Sequence, residues 1–399
     1  MQDKLHYYLI TITLFAVISD TMLQPFYPIF FKEVFHITNP NYVGIYLAAM
    51  IMVVMLAFPF WARLAKGIST LTLLIYTQLI AGFLSILCYF STSAEAFWLI
   101  SLTMVMFKAS YLLVYPYMMS LEDSSRHSHI VGILTVIVHF GAIGGASAGG
   151  FFLGLIEPKK IFLLMSMSDF LQMIICFYIR KKQSSQSIAD AEKASEKKDL
   201  PLLDENKNIP SRILIYPLAI VMLVFYFSAQ ITRPFFSIYW ETVSGLNSSL
   251  IAGFAYAIPA WAALLALWQN RYLSDNNPLL RIAPCLLLGL CGLLIQSGEQ
   301  TAMIIIGRCL YGWALFQVTV KLDMELYNLS TPERYATDFS KIYMFQSLGS
   351  LLASLCAGLL VSTISNLAAS LLVASAGWVI TLVLFTILHK QKEALATPL

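Results

Sequence analysis

One stretch of the chain occurs twice, half a chain apart, and this repeat constrains the fold more than any other feature. The residues that correspond at one constant offset are Ser19 and Ser228, Pro25 and Pro234, Phe26 and Phe235, and Ile29 and Ile238. The same offset carries Gly44 onto Gly253. A repeat of this length predicts a duplicated architecture, in which two similar halves are joined in one chain.

Twelve apolar runs place this repeat in a membrane. Hydrophobic residues make up 58% of the chain and charged residues 12%, whereas about a quarter of a soluble domain is charged. A transmembrane helix needs about 20 apolar residues, and suitable runs cover 7–31, 42–62, 70–91, 97–120, 129–155, 160–180, 213–237, 248–269, 280–298, 301–322, 339–364 and 367–389. We predict an all-α membrane protein with 12 transmembrane helices, in two six-helix bundles related by pseudo-two-fold symmetry.

A polar stretch separates the sixth run from the seventh. It is rich in Ser, Lys and Glu and almost lacks aromatic residues, so it cannot bury enough apolar surface to fold alone. We therefore expect an N-terminal bundle at 1–180, a cytoplasmic linker at 181–212 and a C-terminal bundle at 213–399. Most Lys and Arg residues outside the runs lie on the same side of the membrane as this linker. The positive-inside rule therefore places both termini in the cytoplasm. We expect the membrane to be a bacterial inner membrane or a plasma membrane.

Several functions are excluded by missing motifs. The glycine-rich segment 141–150 lacks the G-K-[ST] ending of a nucleotide-binding loop; its Gly141, Gly145 and Gly149 instead predict a smooth helix face that a neighbouring helix approaches closely. No H-E-x-x-H motif or plausible serine–histidine arrangement indicates an enzyme. Basic residues lie between apolar runs, which is typical of membrane topology and not of nucleic-acid binding. We expect no cofactor and no metal.

The loop after the second run reads Ala62-Arg-Leu-Ala-Lys66-Gly-Ile-Ser, and its counterpart in the second half reads Arg271-Tyr-Leu-Ser-Asp275. With six plus six spans and a basic central loop, the chain resembles the major facilitator superfamily of secondary transporters. That family usually has G-x-L-A-D-R-x-G-R-R in this loop, so Lys66 replaces an Asp that Asp275 retains. The resemblance implies a gating role for Lys66 and Asp275, and a central cavity lined by spans one, four, seven and ten.

Charged residues occur within those four spans, at Asp20, Lys108, Arg233 and Arg308. A charge inside the bilayer is costly and usually marks function. We predict that Lys108, Arg233 and Arg308 bind substrate; the alternatives are an internal ion pair of Lys108 with Asp20, and an Arg308 that reaches to the membrane surface. For proton coupling the candidates are Asp20, Asp169 and His139, for each of which a structural role is the alternative.

Other side chains complete the predicted site. Hydrogen-bonding and aromatic residues expected to line the cavity and bind substrate are Gln24, Tyr27, Tyr111, Tyr115, Gln230, Tyr239, Trp313 and Gln317. Asp323 and Glu325, at the edge of the tenth span, are expected to form a gate or a solvated helix end. Prolines at Pro25, Pro28 and Pro234 are expected to interrupt helices at matching places in the two halves, which points to the binding region of a transporter.

A polar cavity with three cations suits an anion, because arginine can donate paired hydrogen bonds to a carboxylate. We therefore predict a proton-coupled secondary transporter for a small organic anion, a carboxylate or a carboxylate-rich siderophore, that works by alternating access. One alternative is a multidrug efflux pump of the same fold, which would favour an acidic cavity; a more distant one is a non-transporting membrane receptor. Expected partners are the small-molecule substrate, protons and the lipid bilayer, with the protein as a monomer.

Overall fold

A computed structural model of the protein describes residues 2–65, 67–120, 127–190, 209–270, 272, 281–330, 335–364 and 366–396. All regular elements in these ranges are helical. The first half contains α1 (Gln2–Thr21), α2 (Tyr27–Phe35), α3 (Pro40–Leu64), α4 (Thr70–Phe90), α5 (Ala94–Lys108), α6 (Val114–Ser120), α7 (His127–Leu153) and α8 (Ile161–Asp190). The second half contains α9 (Ile209–Ile231), α10 (Phe236–Ser244), α11 (Ser249–Asn270), α12 (Ile282–Gln296), α13 (Thr301–Leu329), α14 (Tyr335–Ile364) and α15 (Ala369–Ala396).

These helices form twelve spans. Ten helical segments in the described part of the chain are long and apolar enough to cross a membrane, and two shorter apolar helices, Tyr7–Thr21 and Ile282–Gln296, complete the set. Three spans contain more than one helix, because α1 continues as α2, α5 as α6, and α9 as α10. The predicted fold class, twelve membrane helices in two bundles, is confirmed.

The interruptions in the first and seventh spans are related by the sequence repeat. The backbone leaves the helix between Thr21 and Tyr27, and again between Ile231 and Phe236, as the prolines predicted. The shared offset also relates the residues that end α2 and α10. His36 (φ 56°) and Gly245 (φ 69°) both adopt the left-handed conformation that ends many helices. The two halves therefore share these helix breaks and helix ends as well as the repeated residues.

Helix packing repeats in the same way. In the N-terminal bundle, α1 packs against α7 and α8, and α4 packs against α5 and α8. The corresponding contacts of the C-terminal bundle join α9 to α14 and α15, and α12 to α13 and α15. Between the bundles the main contacts are α3 with α14 and α7 with α11, which the pseudo-two-fold axis exchanges.

Glycines allow the closest helix approaches. The predicted smooth face of α7 lies against α1, where the Thr21 hydroxyl donates to the Gly141 carbonyl at 3.3 Å. A Cβ at Gly145 would overlap Thr21, and one at Gly149 would overlap the Met22 carbonyl. The predicted role of this glycine stripe is confirmed.

The repeated glycines Gly44 and Gly253 bring the two bundles together. Gly44 of α3 lies against Gly358 of α14, and Gly253 of α11 lies against the Ala146 carbonyl of α7. Both contacts are near the starts of α3 and α11, on the side of the molecule opposite the chain termini. The bundles thus meet backbone to backbone on that opposite side.

Two predicted boundaries differ from the structure. The fourth span is not one continuous helix over 97–120, because a 3₁₀ turn at Ala109–Leu113 separates α5 from α6. Pro116 has no N–H to donate to the Leu112 carbonyl, which disfavours regular α-helix before it. Also, α8 and α9 extend into both ends of the predicted linker 181–212, while 191–208 lies outside the described residues.

Candidate substrate and proton site

Lys108 lies at the centre of a buried ionic cluster within the N-terminal bundle. Its ammonium is 2.9 Å from Oδ1 of Asp169 on α8 and 3.3 Å from Oδ1 of Asp20 on α1. It also donates to the Ser19 hydroxyl at 3.0 Å. We call Asp20, Lys108 and Asp169 the acid–lysine cluster. Of the two readings of Lys108 from the sequence, the internal ion pair is present, and it includes a second carboxylate.

The two carboxylates of this cluster differ in exposure. The Asp169 side chain is 1% exposed and accepts a further hydrogen bond from Ser85 of α4 at 3.0 Å, whereas the Asp20 side chain is 32% exposed. With both acids ionised the cluster carries a net charge of −1, which is unfavourable in a region of low dielectric constant. One proton would make the cluster neutral. Ser85 was not predicted as a site residue, because a serine within an apolar run carries no specific signal.

Arg308 is buried and bonded to the backbone of a neighbouring helix. Its guanidinium donates from Nε to the Ala255 carbonyl at 2.9 Å and from Nη2 to the Tyr256 carbonyl at 2.8 Å. It also lies over the ring of Phe236, 3.6 Å from the centroid. Pro259 of α11 cannot donate to the Ala255 carbonyl, so Arg308 supplies the missing donor. Arg308 is 4% exposed, so its guanidinium is held inside the bundle.

Arg233 lies in the break between α9 and α10 and is half-buried. In the described part of the chain its guanidinium forms no ion pair or hydrogen bond. The groups within its electrostatic range are His139, Tyr226, Tyr256, Arg308 and Tyr311. The three tyrosines were not predicted, because an aromatic residue in an apolar run carries no specific signal. Arg233 is therefore a cation with unused hydrogen-bond donors beside a group of phenols.

His139 is a residue of the N-terminal bundle that lies near Arg233. It is on α7, yet its ring is 5.7 Å from that of Phe316 on α13 of the other bundle. Its interaction with Arg233 also crosses between the bundles. The structure thus gathers two of the predicted site residues, His139 and Arg233, where the halves face each other.

Four other predicted substrate ligands bond within their own bundle. Gln317 is fully buried and exchanges two hydrogen bonds, of 2.7 and 3.1 Å, with Asn270. Trp313 donates to Gln269 at 2.8 Å. Tyr239 donates to the Gln296 carbonyl at the end of α12, at 2.6 Å. Tyr27 is 3% exposed and packs against the ring of Tyr46 at 5.2 Å.

The remaining predicted ligands keep their polar groups available. Gln24, Gln230, Tyr111 and Tyr115 are all half-buried, and no side-chain hydrogen bond engages them among the residues described. Tyr111 lies within electrostatic range of both Asp20 and Tyr115. The first two residues are in or beside the helix breaks, and the other two follow Lys108. These positions flank the acid–lysine cluster on one bundle and Arg233 on the other.

The predicted gating residues are partly described. Glu325 accepts a hydrogen bond from Lys392 of α15 at 2.6 Å, and Asp323 is half-buried two residues earlier on α13. Lys66 and Asp275 lie outside the described residues. The Glu325 contact joins two helices of the same bundle, on the side of the chain termini.

Comparison with known proteins identifies the type of fold. Residues 9–320 match the family model described as Major Facilitator Superfamily. A bacterial homolog of the human lysosomal transporter Spinster, in an inward-facing and occupied conformation, is similar with a TM-score of 0.74 and 12% identity, over 98% of this chain and 97% of that chain. A POT family transporter in complex with 5-aminolevulinic acid gives 0.73 and 12%, over 96% of each chain. No curated protein matches the sequence.

Proposed function

Since the chain belongs to the major facilitator superfamily, we propose that it is a secondary active transporter for a small organic anion of the carboxylate type, coupled to protons. The protein is a transporter and not an enzyme. The proposal concerns what it carries and what drives the movement. A carboxylate-rich siderophore belongs to the same chemical class.

The observation that carries the proposal is the unpaired guanidinium of Arg233. Arg233 and Arg308 are both in the interior of the C-terminal bundle, and neither has a carboxylate within ion-pair distance among the described residues. Arg308 donates to two backbone carbonyls, whereas the guanidinium of Arg233 makes no hydrogen bond among the residues that the structure describes. Two neighbouring cations without an acid favour a bound anion, and a guanidinium donates two parallel hydrogen bonds to a carboxylate. The similar POT family structure contains 5-aminolevulinic acid, which supports a small acid as substrate in such a fold.

The acid–lysine cluster supports proton coupling. A net charge of −1 in the membrane interior favours uptake of one proton. Asp20, the more exposed acid, would accept it first from water between the bundles, and the ion pair at 3.3 Å with Lys108 would then weaken. Lys108 would keep its shorter contact with Asp169. His139, between the bundles, remains a third candidate for the proton.

The architecture supports alternating access in a bacterial inner membrane or a plasma membrane. The bundles touch through two symmetry-related helix pairs, α3 with α14 and α7 with α11, so they can rock about these pairs as rigid units. Close glycine contacts join them on the side opposite the termini. We propose that the protein works as a monomer, with its termini in the cytoplasm and Asp323 and Glu325 near the cytoplasmic gate.

A second candidate is export of organic cations, as in a multidrug pump. The exposed carboxylate of Asp20 favours it, because the cluster is negative whenever both acids are ionised. Lys108 opposes it, since the ammonium already neutralises one of the two acids. The two substrate classes therefore use opposite bundles, Asp20 for a cation and Arg233 for an anion.

Ligand-induced stabilisation of the purified full-length protein tests the choice. A panel of mono-, di- and tricarboxylates is compared with tetraphenylphosphonium and ethidium, because any ligand that binds the folded state raises the melting temperature. We expect a carboxylate to stabilise the wild type and Lys160→Ala, a remote cation control, but not Arg233→Ala. Stabilisation by the organic cations alone would reject the anion proposal, and so would carboxylate stabilisation that survives Arg233→Ala.

A further inference from the structure

A row of buried polar side chains continues from the acid–lysine cluster into the N-terminal bundle. Asp169 accepts a hydrogen bond from Ser85 of α4. Gln172 follows Asp169 by one turn of α8, about 4.5 Å along the axis, and Gln78 precedes Ser85 by two turns of α4, about 10 Å. Because α4 and α8 pack together along their lengths and run in opposite directions, both glutamines lie toward the terminal side of Asp169.

Both glutamines have polar atoms without partners. Gln78 and Gln172 are each 1% exposed, and neither Nε2 of Gln78 nor Oε1 of Gln172 has a hydrogen-bond partner in the described part of the chain. Gln172 makes one contact, from Nε2 to the Ser168 hydroxyl at 3.4 Å. A buried amide group left without a partner is costly. Groups of this kind in folded proteins are usually satisfied by ordered water.

A further hydrogen bond joins α4, next to Gln78, to the 3₁₀ turn that follows Lys108. Thr77, next to Gln78, shares a hydrogen bond of 2.6 Å with Ser110 of that turn. Ser110 adjoins Tyr111, whose half-buried phenol lies within electrostatic range of Asp20. Polar side chains therefore lie on α8, on α4 and in the 3₁₀ turn, between Asp169 and the region where the bundles face each other.

On the terminal side the row ends at apolar residues. Leu74, Ile75 and Cys176 belong to one buried cluster, with Leu9 and Ile12 of α1. Leu74 and Ile75 lie about one turn from Gln78 on α4, and Cys176 lies about one turn from Gln172 on α8. Both positions are on the side of the glutamines that faces the chain termini. This cluster lies between the glutamines and the terminal side of the bundle.

We propose that Gln78 and Gln172 bind water beside Asp169 and that this water relays protons between the Asp169 carboxyl and the 3₁₀ turn at Ala109–Leu113. The proton passes from a protonated water molecule to a carboxylate oxygen of Asp169, and returns by the same route. A metal cation is disfavoured there because the Lys108 ammonium is only 2.9 Å from Asp169. Among the described residues, the titratable groups facing the acid–lysine cluster from outside it are Cys88 of α4 near Lys108, and Tyr27 and Tyr111 near Asp20.

The proposal deepens the proton coupling proposed above and rests on it, but its test needs no substrate. Infrared spectroscopy of the full chain in lipid vesicles follows the carbonyl band of protonated Asp169, assigned by its loss in Asp169→Asn. On transfer to D₂O, we expect the band to exchange about tenfold or more slowly in Gln78→Leu and in Gln172→Leu, because each variant removes a water ligand. Gln296→Leu, which removes a buried glutamine of α12 with one unpaired atom, is expected to exchange at the wild-type rate.

Wild-type exchange in both glutamine variants would overturn the relay and leave proton coupling standing. Equal slowing in Gln296→Leu would overturn it as well, since the effect would then follow from altered packing. If one glutamine variant does not fold, the other decides. The absence of any Asp169 band over the pH range of the folded protein would overturn the relay and leave the proposed proton uptake by Asp20 standing.

Discussion

The Lys108 ammonium stabilises the N-terminal bundle because it lies between two carboxylates. Asp169 is fully buried, so water cannot replace Lys108 as its partner. Asp20, in contrast, is partly exposed. Removing the lysine leaves two like charges close together in a medium of low dielectric constant. The loss of one partner from a buried ion pair is far more costly than the net value of the pair.

We therefore predict that Lys108→Ala lowers the free energy of unfolding by about 3–5 kcal/mol at neutral pH. The double variant Lys108→Ala/Asp169→Asn is expected to recover much of this loss, because it removes the uncompensated buried charge. Thermal or denaturant unfolding in detergent measures both. A Lys108→Ala protein as stable as the wild type would show that the ion pairs contribute nothing.

At this scale the sequence indicates candidate residues but not what each contacts. Lys108, Arg233 and Arg308 are all single cations in apolar runs, and nothing local separates them. Their surroundings depend on residues far along the chain: Asp20 is 88 positions from Lys108, and Tyr256 is 52 positions from Arg308. Only the packed helices show that Lys108 and Arg308 have polar partners, whereas the guanidinium of Arg233 has none among the described residues.

The backbone of α11 depends on a side chain of another helix. Pro259 within α11 leaves the Ala255 carbonyl without its usual donor. Arg308 of α13 supplies that donor, and Gly312, one turn further, lies directly against Pro259. The proline and the arginine thus act as a pair that joins α11 to α13.

A double-mutant cycle tests this pairing. In the wild type, Pro259→Ala is expected to change stability little, because Arg308 already satisfies the carbonyl. In an Arg308→Met background the same substitution restores an N–H to Ala255 and should raise the free energy of unfolding by about 1 kcal/mol. Equal effects of Pro259→Ala in both backgrounds would mean that the two residues act independently.

Helix interruptions were predictable where two signals agreed. The breaks after Thr21 and Ile231 were marked by prolines and by the repeat. The 3₁₀ turn at Ala109–Leu113 has only Pro116 as a signal, without a counterpart in the other half, and was missed. A proline can kink a helix or be accommodated in it, as Pro59 is in α3, and packing decides between these outcomes.

In the whole molecule, the two bundles carry different interior charges. The N-terminal bundle has a cluster of two acids and one lysine, and the C-terminal bundle has two arginines without an ion-paired acid among the described residues. If the bundles rock about the α3–α14 and α7–α11 contacts, a substrate between them meets both. Under the proposed function the two tasks are divided: the C-terminal bundle would bind the anion, and the N-terminal bundle would hold the proton.

Counterflow of a labelled carboxylate in proteoliposomes tests this division most directly, because it requires substrate binding and bundle movement without a proton gradient. The carboxylate is the one that best stabilises the purified protein. We predict that Arg233→Ala reduces the exchange rate by about tenfold or more, since a charge-assisted hydrogen bond is lost, that Arg233→Lys retains part of it, and that Lys160→Ala matches the wild type. Exchange at the wild-type rate in Arg233→Ala would contradict the account.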